Sequence, residues 1–548
     1  MKGRPGWDFI LVGGGSAGCV LAERLSADPS VSVLLIEEGP PAEDWLVRMP
    51  KGFTKNLANP ERATHLVTSQ PRGELERPDI WMRGKMLGGS SALNGMVWMR
   101  GQPEDYDRYG ELGLNGWNWA DMLLCFKALE DHELRADDYR GGGGPIRISS
   151  TRARTPLAEA LLKAARDLGL PTLQDLNREA REGLGYLQVN IDGRGRRVSA
   201  ARAFLNPARV RPNLTIVTHT RIDRVLFDGK RAIGVEGRSR GEAVRFETRG
   251  EVILSAGGLA SPLLLQRSGV GDAELLESHG IPVLVDSRDV GANMREHWML
   301  QVQFRLRHDS NSENRSLRGL RLAGNVVRYF LTGKGSLATG PYHIGGFMRS
   351  SYSTNRPDAQ ILFMPLSQDE TGRGGLEKEP GLQLMGYQCR PESKGSISIT
   401  SADPDAPPAI RPNYHADEMD RKIAVEMVRT IRRLAQTSPL SDFIVGETKR
   451  TADAQTDAAI LDAFARLGQA GYHACGTCRM GADENAVLDD RARVRGVTGL
   501  RVVDLSMAPE MVSGNTNAPV MAMAWRASQM ILEEHRAKHA YETRPTRR

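Results

Sequence analysis

The run YHACGTCRMG, residues 472–481, holds three side chains able to do chemistry, and their spacing allows three kinds of it. Cys475 and Cys478 stand at the C-x-x-C interval of a thioredoxin-type redox pair. With His473 two residues ahead of Cys475, they also suit part of a metal site. In the third reading the histidine acts alone as a proton acceptor, its ordinary pKa of about 6.5 lying close to working pH. A redox pair follows a strand and opens a helix, a context the surrounding residues lack. A metal site needs further ligands, and Cys19, Cys125 and Cys389 are solitary and far apart. No metal is expected, and the two cysteines read as small, buried packing residues. Forty residues on, SGNTNAP (513–519) offers two amides, Asn515 and Asn517, just before an apolar pattern at helical spacing (Val520, Met523, Ala527). Asn517 is expected to cap that helix, with Pro519 in its first turn.

Several stretches must position these groups. DFILVGGGSAGCVLAERLS reads as strand, glycine turn and helix. Gly13, Gly15 and Gly18 form G-x-G-x-x-G: the first for a tight turn, the second for close approach to a pyrophosphate, the third for helix–strand packing. Ser16 stands where the helix begins, and its free N–H groups favour phosphate. A second strand, VSVLLIEEG, ends in Glu37, where an acid should meet ribose hydroxyls. NAD and FAD both fit these forty residues, whereas Glu37 and Glu38 together disfavour a 2′-phosphate. RGKMLGGSSALNGMVWMRG (83–101) places Gly88, Gly89, Ser90 and Asn94 where something flat must come close, among anchors Leu87, Leu93, Met96 and Trp98. LSAGGLASPLLLQRSGVG (254–271) leads a strand into a helix near Ser261 and Pro262 that stops at Gly269. LRVVDLSM gives a last strand ending at Asp504.

The bulk properties narrow the class. The chain has 548 residues, 40% hydrophobic and 26% charged, with a net charge of +6, which is ordinary for a globular protein of several domains. No apolar run approaches the ~20 residues of a membrane span, and the N-terminal stretch lacks a signal-peptide pattern. Five cysteines, an odd number, fit a reducing compartment, so a cytoplasmic protein is expected. The basic runs GRGRR (193–197) and RPTRR (544–548) have no interleaved aromatics and read as solvated surface; no nucleic-acid partner is expected. RGGGGP (140–145) reads as a flexible loop. DAQILFMPL and GSISIT read as strands of a second sheet, and residues 419–436 as an amphipathic helix.

Taken together, these segments resemble the glucose–methanol–choline (GMC) family of FAD-dependent oxidoreductases, from about Asp8 to about Glu533. Both family signatures, the nucleotide fingerprint and HACGTCRMG followed by SGNTNAP occur in the family's order. Within the family the chain is most similar to bacterial choline dehydrogenases and related alcohol dehydrogenases. The resemblance implies a Rossmann-like α/β FAD-binding domain (1–150, 200–295 and 478–540). This is interleaved with an α+β substrate domain on an antiparallel sheet (151–199 and 296–477), and a basic tail (541–548) follows. It implies that Gly13, Gly15, Ser16, Gly18 and Glu37 hold the ADP half of FAD, with the backbone of Ile222 at the adenine. Gly88, Gly89, Ser90 and Asn94 line the flavin, and Asp504, Leu505 and the turn at Asn517 lie near its ribityl and pyrimidine end.

It also implies alcohol oxidation by hydride transfer to flavin N5, with His473 as base and Asn515 orienting the substrate oxygen. A same-fold flavoprotein of lyase or photodecarboxylase type is the alternative. Some family oxidases carry, just before the position of Asn94, a histidine bonded to flavin. Leu93 stands there instead, so FAD is expected to be non-covalent. Expected partners are a small-molecule alcohol, oxygen or a quinone-type acceptor, and a further copy of the chain. MREH replaces the commoner L-x-D-H, and His297 within it is read as structural. Trp298, Tyr342 and Phe347 are given no role.

Overall fold

The computed structural model describes residues 6–69, 78–179, 181–308, 312–353, 355–369 and 375–542; the RPTRR run lies outside them. Trp7–Val12 is a central strand because it is apolar on both faces, as a parallel strand covered on both sides must be. It pairs in parallel with Val33–Ile36 on one side and with the second half of Glu242–Leu254 on the other, Leu11 standing opposite both Leu35 and Ile253. Leu214–Val217 and Leu500–Val502 extend the sheet outward in the same sense. The first half of Glu242–Leu254 instead closes an antiparallel meander with Arg231–Ser239 and Thr220–Asp228. Helices Ser16–Leu25 and Asn517–Glu542 share one core with this sheet.

A second sheet is antiparallel, in the order Ile344–Met348, Ala359–Met364, Gly381–Gln388, Trp298–Leu306, Ile444–Glu447, with Gln469–Ala470 paired to the start of Trp298–Leu306. Alternation sends Leu300, Val302, Phe304, Ile361 and Leu384 to one face, where they pack on helices Pro156–Asp167, Glu418–Gln436 and Asp457–Leu467. The opposite face carries the cross-strand row Phe347, Gln360, Tyr387 and, two residues on, Leu362, Met385, Gln301. The fold is thus the two-layered α/β plus antiparallel-sheet arrangement that the resemblance implies. Among the described residues no helix is long and apolar enough to cross a membrane.

Three local expectations need correction. Residues 396–398 of GSISIT do not join the second sheet; they pair with Ala409–Arg411 as a separate ribbon. The RGGGGP run is no slack loop. Gly141 and Gly144 donate to Glu130, and a Cβ on Gly141 would come within 1.9 Å of the Lys127 carbonyl oxygen, so its glycines allow tight packing. The last helix starts at Asn517, which leaves Thr516 at the cap position, its carbonyl accepting from Val520 N–H at 3.0 Å. The Asn517 side chain is therefore free for another use.

Candidate active site

A cavity of ≈ 1740 Å³ lies between the two sheets. It exceeds the ~300–1,000 Å³ of an ordinary small-molecule site, with room for a dinucleotide and a second molecule beside it. Gly13, Gly15, Ser16, Glu37, Gly89, Ser90, Asn94, Ile222, Asp504, Leu505, His473, Asn515 and Asn517 all line it. Gly18 and Gly88 do not. They lock the loop from behind: a Cβ on Gly18 would lie 2.0 Å from the Gly13 carbonyl oxygen, and Gly88 N–H donates to Gly14 O at 2.7 Å. A Cβ on Gly89 would lie 2.8 Å from Gly15 Cα, so the two glycine loops meet backbone to backbone. Gly15 itself has room: a Cβ there would make only an ordinary contact, 3.9 Å from the Ser255 carbonyl oxygen.

The polar groups at this end are arranged for an anionic ligand. Ser16 opens one helix and Asn517 another, and the Ser16 hydroxyl donates to Asn517 Oδ1 at 2.9 Å. Two helix N-termini, each with unsatisfied N–H groups and positive potential, thus meet at one cavity. Asn517 Nδ2 is buried and has no partner among the described residues. It is a donor in need of an acceptor, as a bound cofactor would supply. Glu37 accepts from Gly14 and Gly39 N–H at 2.8 and 2.9 Å, and burial raises its pKa. Asp504 is occupied on both oxygens, by Gly257 N–H and the Ser261 hydroxyl on one, by Ser506 N–H and hydroxyl on the other. Its work is to hold those segments together. Asn94 Oδ1 accepts from Arg197 at 2.8 Å and Met96 N–H at 3.1 Å, leaving its NH₂ to offer to the cavity. Arg197, expected on the solvated surface, is fully buried, which pushes its pKa down to about 9.

At the other end stands His473. Its backbone N–H donates to both Glu296 oxygens, at 2.7 and 2.9 Å, and Arg83 holds the Tyr472 carbonyl ahead of it. Its Nδ1 lies 2.8 Å from Nδ1 of His297, whose Nε2 lies 2.8 Å from the Cys389 carbonyl oxygen. A carbonyl only accepts, so His297 Nε2 carries the hydrogen. Burial lowers the His297 pKa to about 4, so the ring is neutral and its Nδ1 is an acceptor. His473 Nδ1 must then donate, and its Nε2 keeps a lone pair. Burial, with His297 and Arg83 nearby, lowers the His473 pKa well below the ordinary value.

Behind this pair the Tyr387 ring stacks on His297 with centroids 4.3 Å apart, and its hydroxyl donates to Gln360 Oε1. Gln360 Nε2 donates to Asn515 Oδ1 at 3.4 Å, so the Asn515 NH₂ is left for the cavity. Sequence reasoning assigned His297 only a structural role and did not single out Tyr387 or Gln360. Only His297 had a signal, its adjacency to the acid of MREH. Tyr342 lines the cavity, while Trp298 stacks on Tyr414 at 3.9 Å and Phe347 is buried in the sheet.

The lining that the second sheet and its loops contribute is largely apolar, with Met299, Leu362, Met364, Leu366 and Tyr342 relieved by the amides Gln301 and Gln368, while Arg83 and Tyr472 line the cavity next to His473. Among the described residues the acids lining the cavity are Glu37, Glu38, Asp79, Asp405 and Asp504, none on the second sheet. Cys475 and Cys478 are buried, unpaired in any disulfide, and burial pushes the Cys475 thiol up to about 12, far from redox poise.

Comparison with known proteins fits this geometry. GMC oxidoreductase family models match residues 7–299 and 391–524. The mitochondrial choline dehydrogenase of Homo sapiens is 38% identical over 542 residues, covering 97% of this chain and 90% of that protein. An oxygen-dependent choline dehydrogenase of Escherichia coli is 37% identical over 533 residues, covering 96% and 95%. Among solved structures, pyridoxine 4-oxidase from Mesorbium loti superposes with a TM-score of 0.87 at 29% identity, covering 96% of this chain and 99% of that one. The formate oxidase of Aspergillus oryzae, studied for its FAD, superposes at 0.90 with 26% identity, covering 98% and 100%.

Proposed function

Because the chain belongs to the GMC oxidoreductase family and is an FAD-dependent oxidoreductase acting on CH–OH donors, we propose that it oxidises an uncharged, largely apolar alcohol to an aldehyde or ketone. His473 is the base and Asn515 orients the substrate oxygen. The observation that carries this reading is the chain of hydrogen bonds from the Cys389 carbonyl through His297 to His473, which leaves the His473 Nε2 lone pair toward the cavity. FAD, when bound, supplies the two-electron acceptor that takes hydride from the carbinol carbon at N5. His473 Nε2 takes the hydroxyl proton, which makes the hydride a far better leaving group; such a base contributes roughly 10²–10⁴-fold. The Asn515 NH₂ donates to the alkoxide oxygen and stays neutral while charge moves. The depressed His473 pKa keeps the base unprotonated to well below neutrality, so the acid limb of the rate lies lower than a free histidine would give.

Groups fit to hold FAD are the two glycine loops, the paired helix N-termini at Ser16 and Asn517, and the Ile222 backbone. Leu93, also in the lining, has no nucleophile, so the attachment is non-covalent. Oxygen or a quinone-type carrier takes the electrons. Five buried free thiols suit a reducing, cytoplasmic setting. Retention of both His473 and Asn515 at the cavity disfavours lyase or photodecarboxylase chemistry.

The relatives named for choline suggest that substrate, but a quaternary ammonium is held by aromatic faces and acids, and among the described residues no acid of the second sheet lines the cavity, while Glu296 is engaged by the His473 N–H. An anaerobic panel of choline against uncharged aliphatic and aromatic alcohols, followed by flavin bleaching, tests the reading. Uncharged alcohols should bleach the flavin faster than choline. Bleaching fastest with choline would reject the proposed substrate class, and bleaching by no alcohol would reject alcohol oxidation.

A further inference from the structure

The cavity is long in one direction. His297 stands just ahead of the strand Trp298–Leu306, and Met299 and Gln301 follow on the same face and line the cavity. Leu362, Met364, Leu366 and Gln368, again every second residue, line it as well. This row ends where the chain turns back across the sheet. Gln368 N–H donates to Gln303 Oε1 at 2.6 Å, and Gln368 pairs with Leu376, another lining residue. From His297 to Gln303, at about 3.4 Å per residue, the end wall lies roughly 20 Å along the strand from the histidine pair. A short alcohol at His473 would leave most of that apolar length unfilled.

At the end wall stands Arg450. It follows the edge strand Ile444–Glu447, and Thr448 N–H ties that turn to the Gln303 carbonyl oxygen at 2.8 Å. Arg221 and Arg466, which also line the cavity, are each paired with a carboxylate at 2.6 Å. Arg450 lines the cavity without an ion pair among the described residues. Its Nη1 reaches the Asp369 carbonyl oxygen only at 3.5 Å, longer than an ordinary N–H···O bond. A guanidinium has five N–H donors and no acceptor, so what it lacks is an oxygen. Burial lowers its pKa, and the charges of Asp369 and then Glu377 oppose that from further off. Glu377 is held in turn by Arg305 at 2.7 Å and by the Ser367 hydroxyl at 2.6 Å. A carboxylate brought to Arg450 would meet both acids as well, whereas a neutral oxygen would meet only the donors.

We infer that the end wall is a second substrate-binding point, so that the substrate is an elongated alcohol with an apolar body and a neutral oxygen acceptor at its far end. Arg450 donates to that oxygen, of an ether, an ester or a second hydroxyl, while the carbinol end lies at His473 and Asn515. The inference rests on the alcohol reading for the orientation of the carbinol end; the contact at Arg450 needs no turnover.

The test separates binding from oxidation. The FAD-loaded full chain is reduced with dithionite under anaerobic conditions, and ligands are titrated by their effect on the reduced-flavin spectrum. The probes are butan-1-ol, decan-1-ol, the equally long 8-methoxyoctan-1-ol and 9-hydroxynonanoic acid. The methoxy alcohol should bind roughly tenfold tighter than decan-1-ol, as one hydrogen bond to a charged donor gives, and both should bind tighter than butan-1-ol. In Arg450→Met, which keeps the reach and loses the donors, that preference should shrink to about twofold or less, with decan-1-ol held as in the wild type. Arg450→Gln carries the same comparison if the methionine variant does not hold FAD. Equal affinity of the wild type for the two long alcohols, a preference that survives loss of the guanidinium, or tightest binding by the acid would each overturn the proposal. Bleaching of the oxidised flavin by the same alcohols reads the reaction separately: an Arg450-dependent preference without bleaching would uphold the binding point and reject alcohol oxidation.

Discussion

The two ends of the cavity are built by different means. At the dinucleotide end backbone meets backbone: Gly18 on the Gly13 carbonyl, Gly89 on Gly15, with almost no tolerance for a Cβ. At the substrate end side chains stand in rows on a sheet, and the chemistry depends on which atom of one ring faces which atom of another. The first end is shape, common to anything that binds a dinucleotide in this way. The second is hydrogen-bond direction and polarity, on which the proposed choice of reaction and substrate rests.

Substitutions at each end can break or sharpen that contrast. The largest effect is expected at Gly18, where valine would force backbone apart. Gly18→Val should yield chain without flavin, read as visible absorbance per protein. Gly15→Ala, with room on the protein side, should fold but hold FAD more weakly. Equal behaviour of the two would dissolve the distinction between loop-locking and ligand-facing glycines.

At the other end, His473→Ala should keep its FAD and lose roughly 10²–10⁴-fold in anaerobic flavin reduction. Unchanged kinetics would remove His473 as base. In the wild type the rate should hold down to well below about pH 6.5 before it falls, since burial favours the neutral ring. A break at or above that pH would contradict the buried, neutral histidine.

A smaller loss is expected behind it. His297→Leu leaves the His473 Nδ1–H without an acceptor, an orphan worth about 1–3 kcal/mol, so reduction should slow roughly ten- to a hundredfold. His297→Asn puts an amide oxygen near the same place and should recover most of the rate. Asparagine performing no better than leucine would show that His297 only fills space. Smallest of all, Cys475→Ser should cost about 1 kcal/mol in stability and leave the rate alone; a collapse in activity would revive the redox reading of C-x-x-C.

These regions also differ in how much of them could be read beforehand. The Gly13–Gly15–Gly18 turn and Glu37 were legible because the contacts that dictate their residue types, Gly18 on the Gly13 carbonyl and Glu37 on the Gly14 and Gly39 N–H, lie within one strand–turn–helix–strand unit. The helix at 418–436 was legible from its period, and began one residue earlier than expected. The ribbon at 396–398, the packed RGGGGP turn and the burial of Arg197 were not, since the first two depend on pairing with neighbouring segments outside their own element and the third on Ser91 and Asn94, 106 and 103 residues away. His297 was read as structural because the ring it faces, His473, stands 176 residues further on.

What the sequence determined by itself is therefore the set of reactive and space-saving residues and the local elements that carry them. The spacing of glycines and the alternation of apolar residues are local steric facts. What only the tertiary structure decided is which of these groups face one another. His473 meets His297 across 176 residues, Asn515 meets Gln360 across 155, and Ser16 meets Asn517 across 501. Sheet register and the docking of the two layers set those pairs. No local propensity encodes the direction of a hydrogen bond between residues so far apart, and here that direction decides which nitrogen of His473 keeps its lone pair for the proposed role of base.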